Sequence, residues 1–88
     1  MEKDSKDLHL SDTVGFIYWK QHLNDSALQT FRTVVQKDPN NATYRLHLAK
    51  ALLSQGDKTE AKTQLEAALL RNPPKDEESE IKTLLAGN

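Results

Sequence analysis

The chain of 88 residues contains no cysteine, which excludes disulfides and thiolate metal sites. Glycine is scarce, and its three copies, Gly15, Gly56 and Gly87, are scattered, so no glycine-rich loop is available to cradle a phosphate. Neither charge dominates. Twelve Lys and Arg against 13 Asp and Glu leave a net charge of −1, without the basic footprint that nucleic-acid binding requires. Apolar runs such as 67–70 are far shorter than the roughly 20 residues of a membrane-spanning helix. Residues 1–7 alternate in charge and hold no apolar core of a secretion signal. No Gly-x-Ser-x-Gly elbow and no His-Glu-x-x-His zinc helix occur. His9, His22 and His47 never stand four apart, so no metal site is expected among them. These gaps argue against an enzyme, a cofactor, a nucleic-acid partner and direct membrane insertion.

What the sequence does have is a repeat. Shifted by 34 residues, Val14 falls on Leu48, Gly15 on Ala49, Tyr18 on Leu52, Ala27 on Ala61, Phe31 on Leu65, Val34 on Ala68 and Pro39 on Pro73. Val14 with Tyr18, and Leu48 with Leu52, give the first helix of each repeat an apolar stripe. The small Gly15, Ala27, Ala49 and Ala61 let a neighbouring helix approach closely, and Pro39 and Pro73 end the second helix of each pair. Gly56 suits the left-handed residue after a helix, and His22 takes its place in the first repeat. Asp57 with Glu60 reads as a capping box, while Asp7, Asn24, and Asn40 or Asn41 are the expected caps of the first three helices.

The spacing predicts five helices, at 8–21, 25–37, 42–54, 58–71 and 75–86. Short connections predict antiparallel neighbours. The last helix opens on Asp76, Glu77, Glu78 and Glu80, which suit the positive end of the helix dipole, and carries the narrow stripe Ile81, Leu84 and Leu85. That is the profile of a terminal cap.

The signatures Val14-Gly15-x2-Tyr18, Ala27-x3-Phe31 and Pro39, then Leu48-Ala49-x2-Leu52, Gly56, Ala61-x3-Leu65 and Pro73, resemble the tetratricopeptide repeat (TPR) family from about Leu8 to Pro73. Ser11 and Arg45, where Trp is common, and His22, where Gly is usual, depart from the family pattern. The resemblance implies an all-α TPR helix–turn–helix solenoid: a polar tail at 1–7, repeats at 8–41 and 42–74, and a capping helix at 75–86. More narrowly, the run Asp12 to Gln21 resembles the last repeats of large bacterial TPR proteins linked to exopolysaccharide export and protein sorting, which would make this the C-terminal end of a longer solenoid. A complete chain would be cytoplasmic. A fragment could have lost an upstream signal and belong to a secreted, periplasmic protein.

In the family, the first helix of each repeat lines a concave groove for a partner segment. Carried over to this chain, the groove comprises His9, Asp12, Phe16, Trp19 and Lys20, then Thr43, Leu46, His47, Lys50, Leu53 and Ser54. Phe16 and Trp19 either anchor a partner or pack against other helices. Asp12 and Phe16 stand where some relatives place a Lys and an Asn that grip a C-terminal carboxylate, which argues against that mode of capture. On the outer side of the first helix, Leu10, Val14 and Ile17 recur, and part of this stripe, Val14 above all, is expected to face the second helix of its own repeat. Leu10 and Ile17 mark an edge for upstream repeats or for a second copy in a homodimer.

Overall fold

The computed structural model describes residues 5–87. Among them lie five helices and no strand: α1 (Ser5–Lys20), α2 (Asn24–Lys37), α3 (Ala42–Ser54), α4 (Lys58–Leu69) and α5 (Lys75–Ala86). Consecutive helices pack against one another, and α5 also reaches back to α3. Two ends differ from expectation by more than one residue. Helix α1 begins at Ser5, so residues 5–7 of the expected polar tail are its first turn, and residues 1–4 lie outside the described residues. Asp7 is therefore a first-turn acid facing the helix dipole rather than a cap. Helix α4 stops at Leu69, and Asn72 then turns left-handed at φ 52°.

The core follows the repeat. Ala27 and Ala61 are wholly buried, as are Phe31, Leu65, Ala49 and Ala68. The alanines let the helices approach closely, and Phe31 and Leu65 fill the space between them and exclude water. The pair Gly15 and Phe31 shows how finely the volumes are matched. A Cβ on Gly15 would stand 2.6 Å from the Phe31 ring. In the second repeat the same places hold Ala49 and Leu65, a larger first residue facing a smaller second one.

The turns repeat as well, down to their hydrogen bonds. His22 at φ 64° and Gly56 at φ 84° are the left-handed residues after α1 and α3. Leu23 N–H donates to the Tyr18 carbonyl and His22 N–H to that of Trp19. Thirty-four residues on, Asp57 N–H donates to the Leu52 carbonyl and Gly56 N–H to that of Leu53. Each set is a Schellman motif that satisfies the last carbonyls of a helix.

At the starts of helices, Asn41 Oδ1 accepts from Tyr44 N–H and Asp57 Oδ1 from Glu60 N–H, each at 3.1 Å. Asn24 is not a cap: Leu23 holds that position without a side-chain bond. The capping box at Asp57 is only half formed, because the Glu60 carboxylate turns away to a two-pronged ion pair with Arg32 of α2. That hydrogen-bonded pair raises the Arg32 pKa. It ties the second helices of the two repeats together across a partly exposed surface, where such a pair contributes well under about 1 kcal/mol.

One expected burial fails. Val14 is 40% exposed, although its counterpart Leu48 is 2% exposed. The two positions differ because α3 has a preceding helix, α2, packed against it. Leu10 and Ile17 share the exposed side of α1, at 62% and 50%.

Candidate functional site

Helices α1, α3 and α5 contribute side chains to one face, and bonds between helices of that face hold it together. Asp12 of α1 is 4% exposed and has both carboxylate oxygens at 2.8–2.9 Å from His47 Nδ1 of α3. A buried carboxylate needs a donor, so this ring nitrogen carries the hydrogen that faces it. Phe16 sets its edge against the His47 ring at 4.5 Å and packs edge-to-face on the buried Phe31 at 5.4 Å. Trp19 lies 5.8 Å from Phe16, and its Nε1–H donates to Ser54 Oγ of α3 at 3.0 Å.

Helix α5 extends this row. Thr43 Oγ1 donates to Glu77 at 2.6 Å, and the Lys50 ammonium meets Glu80 at 2.7 Å. Glu77 and Glu80 are the site residues that the sequence reading missed. The helix dipole explains an acidic helix start by itself, so nothing in the local pattern announces a partner in another helix. The repeat offers one clue, since Glu77 stands 34 residues after Thr43.

The expected groove residues thus fall into separate groups. Asp12, Phe16, Trp19, Thr43, His47, Lys50 and Ser54 are joined in pairs across the helices. Leu53 is half-buried beside the core, and His9 and Lys20 are exposed on α1. Two residues need correction as contact points. Leu46 is 2% exposed because it belongs to the core, and Asp12 is closed off by its bond to His47. Neither presents surface to a partner in this arrangement. Phe16 and Trp19 do pack against the core, and each is only partly buried, so some of each ring stays on the surface.

Behind this face sits Tyr44, whose phenol pKa is raised, first by burial and then by the charges of Asp12 and Asp38. At the turns, Arg45 Nε and Arg71 Nε both donate to the Pro39 carbonyl, at 2.8 and 3.0 Å. Burial, and then the nearby Arg71 charge, lower the Arg45 pKa. Among the described residues, no group of three or more His, Asp or Glu is placed to hold a metal ion, and no helix is long and apolar enough to cross a membrane.

The tetratricopeptide repeat family matches residues 18–87, which is more than half of the chain. With the paired helices, the shared turn motifs and the all-α fold, this places the chain in that family. Its repeats are in general protein-interaction modules rather than catalysts. The match is to the repeat at large and gives no support to the narrower likeness to exopolysaccharide-export and sorting proteins. Comparison with curated proteins gives no match.

Proposed function

We propose that the face shared by α1, α3 and α5 is a groove that binds a segment of another protein. The observation that carries this reading is the half-exposed pair Phe16 and Trp19, held in place by His47, Phe31 and Ser54. Aromatic side chains whose rotamers are already locked bind at low entropic cost. Leu53 extends the apolar floor, while Thr43, Lys50, Glu77 and Glu80 form a polar rim with one basic and two acidic side chains. Exposed His9 and Lys20 add polar contacts along α1. Such a rim selects by charge pattern and leaves most of the binding energy to the anchors.

Trp19 is the single tryptophan of the chain, so it reports on its own site. Peptide segments selected from a display library on the immobilised protein are expected to shift Trp19 emission on titration. Binding is expected to weaken about tenfold or more in Trp19→Ala, the loss typical of a central anchor. Binders that leave the emission unchanged and hold Trp19→Ala as tightly as the native protein would refute the reading.

A further inference from the structure

A cluster of charge lies outside the groove, at the turns that follow α2 and α4. The chain has three arginines. Arg32 is neutralised by the Glu60 carboxylate. Arg45 and Arg71 instead converge on one backbone oxygen. Arg45 Nε donates to the Pro39 carbonyl at 2.8 Å and Arg71 Nε to the same carbonyl at 3.0 Å, which holds the two guanidinium groups side by side. A second bond fixes each of them, Arg45 Nη1 to Gln64 Oε1 at 2.9 Å and Arg71 Nη1 to the Ala67 carbonyl at 2.7 Å. All four acceptors are neutral. Among the described residues no ion pair includes Arg45 or Arg71, while Glu78 meets Lys82, Glu80 meets Lys50, and Asp38, beside Pro39 in the chain, accepts from Asn41. The two kinds of arginine differ in charge state as well. Glu60 raises the Arg32 pKa, whereas burial and then the Arg71 charge lower that of Arg45.

We propose that Arg45 and Arg71 together bind the oxyanion of a phosphate group, either free phosphate or one carried on a side chain of another protein. Two like charges held this close repel each other, and partial burial reduces the screening that water gives them. An anion between them turns that repulsion into attraction. The donors for it are already in place. A guanidinium carries five N–H donors, and with two used on each side chain, three remain on each, among them both of Nη2. Both side chains are half-buried, so part of each reaches the surface. The number of charges selects phosphate over carboxylate. One carboxylate is filled by one guanidinium, as Glu60 is by Arg32. A phosphate ester has three acceptor oxygens and a charge of about −1.5 to −2, which suits two forks and two cations. The site is distinct from the groove, because Arg45 leaves α3 about 200° round the helix from Thr43 and from His47.

Inorganic phosphate, titrated into the full chain at constant ionic strength with chloride as the balance, tests this by NMR of the arginine Nε–H signals. The Arg45 and Arg71 signals are expected to move together along one saturating curve, and the Arg32 signal to stay in place. Arg71→Lys keeps the charge and loses the fork, and is expected to weaken phosphate binding about tenfold or more. Arg45→Gln is expected to do the same, and it carries the test should Arg71→Lys lose helicity. Arg32→Gln is expected to bind as the native chain does. A short peptide with one phosphoserine, set beside its unphosphorylated twin, separates the two sources. Tighter binding than that of inorganic phosphate assigns the site to a phosphorylated partner, and equal binding assigns it to the free anion. Shifts that never saturate, or that chloride reproduces, overturn the proposal, and so does equal affinity in the native chain, Arg45→Gln and Arg71→Lys. A pair that only braced the turn would lower the melting temperature of both variants and leave the native chain indifferent to phosphate. None of these changes alters Phe16 or Trp19, so the groove reading stands or falls separately.

Discussion

Gly15→Ala is expected to destabilise this protein, although alanine is the better helix former, and to stabilise it once Phe31 is also Leu. In the interior of α1 the exchange should gain about 1 kcal/mol from helix propensity. Against this, the new methyl would stand 2.6 to 3.0 Å from three atoms of the Phe31 ring. That ring is fully buried and rigid, so it cannot swing aside, and overpacking of this kind costs about 1–3 kcal/mol. The clash outweighs the propensity, leaving a net loss of about 1 kcal/mol, or roughly 4–8 °C in Tm for a domain of this size. Phe31→Leu alone should cost about 1–2 kcal/mol by opening a cavity. In that background the methyl has room, because the pair becomes the Ala49–Leu65 combination already present in the second repeat. The gain from propensity then stands alone, and Gly15→Ala should raise Tm. Thermal and urea melts of the four proteins in the cycle measure a coupling of about 1–3 kcal/mol. Equal effects of Gly15→Ala in both backgrounds would show that the two repeats are not matched in volume at this position.

Three further outcomes are expected. His22→Gly should raise stability by about 0.5–1 kcal/mol, since the left-handed φ of 64° penalises histidine and not glycine, an advantage reduced by the greater freedom of glycine in the unfolded chain; melting curves of the single variant decide it. Removal of His47 should cost more than removal of Asp12: His47→Ala leaves a buried carboxylate without its donor, a loss of about 1–3 kcal/mol, whereas Asp12→Ala leaves an imidazole that is the more exposed of the two and can bond to water, and urea titrations that rank them the other way would show that the carboxylate finds another donor. Burial raises the Tyr44 pKa above its ordinary 10.0, so the folded state holds this proton more tightly than the unfolded one, and stability is kept below pH 10 and lost as pH climbs through the folded value; Tyr44→Phe should flatten that alkaline loss in melts between pH 8 and 11, and an unchanged pH profile would refute it.

The parts of this fold that could be read from sequence are those decided by near neighbours in the chain. Gly56 and His22 as left-handed residues, Asp57 and one of Asn40 and Asn41 as caps, and Ala27 and Ala61 as points of close approach all follow from local conformational chemistry repeated at a fixed stride. The features that escaped depend on competition between distant groups. Glu60 has the sequence position of a capping-box acid, but Arg32 offers it a charged partner, and that wins. Glu77 and Glu80 suit a helix start, yet Thr43 and Lys50 stand within reach once α5 folds back on α3. Asp12 and His47 look like separate polar groove residues until the helices bring them together. Val14 has the periodicity of a buried residue, and periodicity identifies an apolar face without saying whether a helix lies against it.

The two ends of the helical stack are finished differently, and α1 connects that difference to the proposed groove. At the far end α5 turns Ile81 inward and leaves Asp76, Ser79, Lys82 and Thr83 exposed, so that end meets water with polar groups. At the near end α1 shows water an apolar row instead. From its other side the same helix supplies Phe16 and Trp19 to the face proposed as a groove, with Asp12 tied to His47 beneath them. A helix is stiff over this length, so a force that shifts α1 from its outer row is carried to Phe16 and Trp19 as a rigid movement. Asp12–His47 and Trp19–Ser54, the two polar bonds between α1 and α3 described above, resist that movement. Covering the outer row should therefore stiffen the anchors and improve segment binding, while cutting the Asp12–His47 bond should loosen them even when the row is covered.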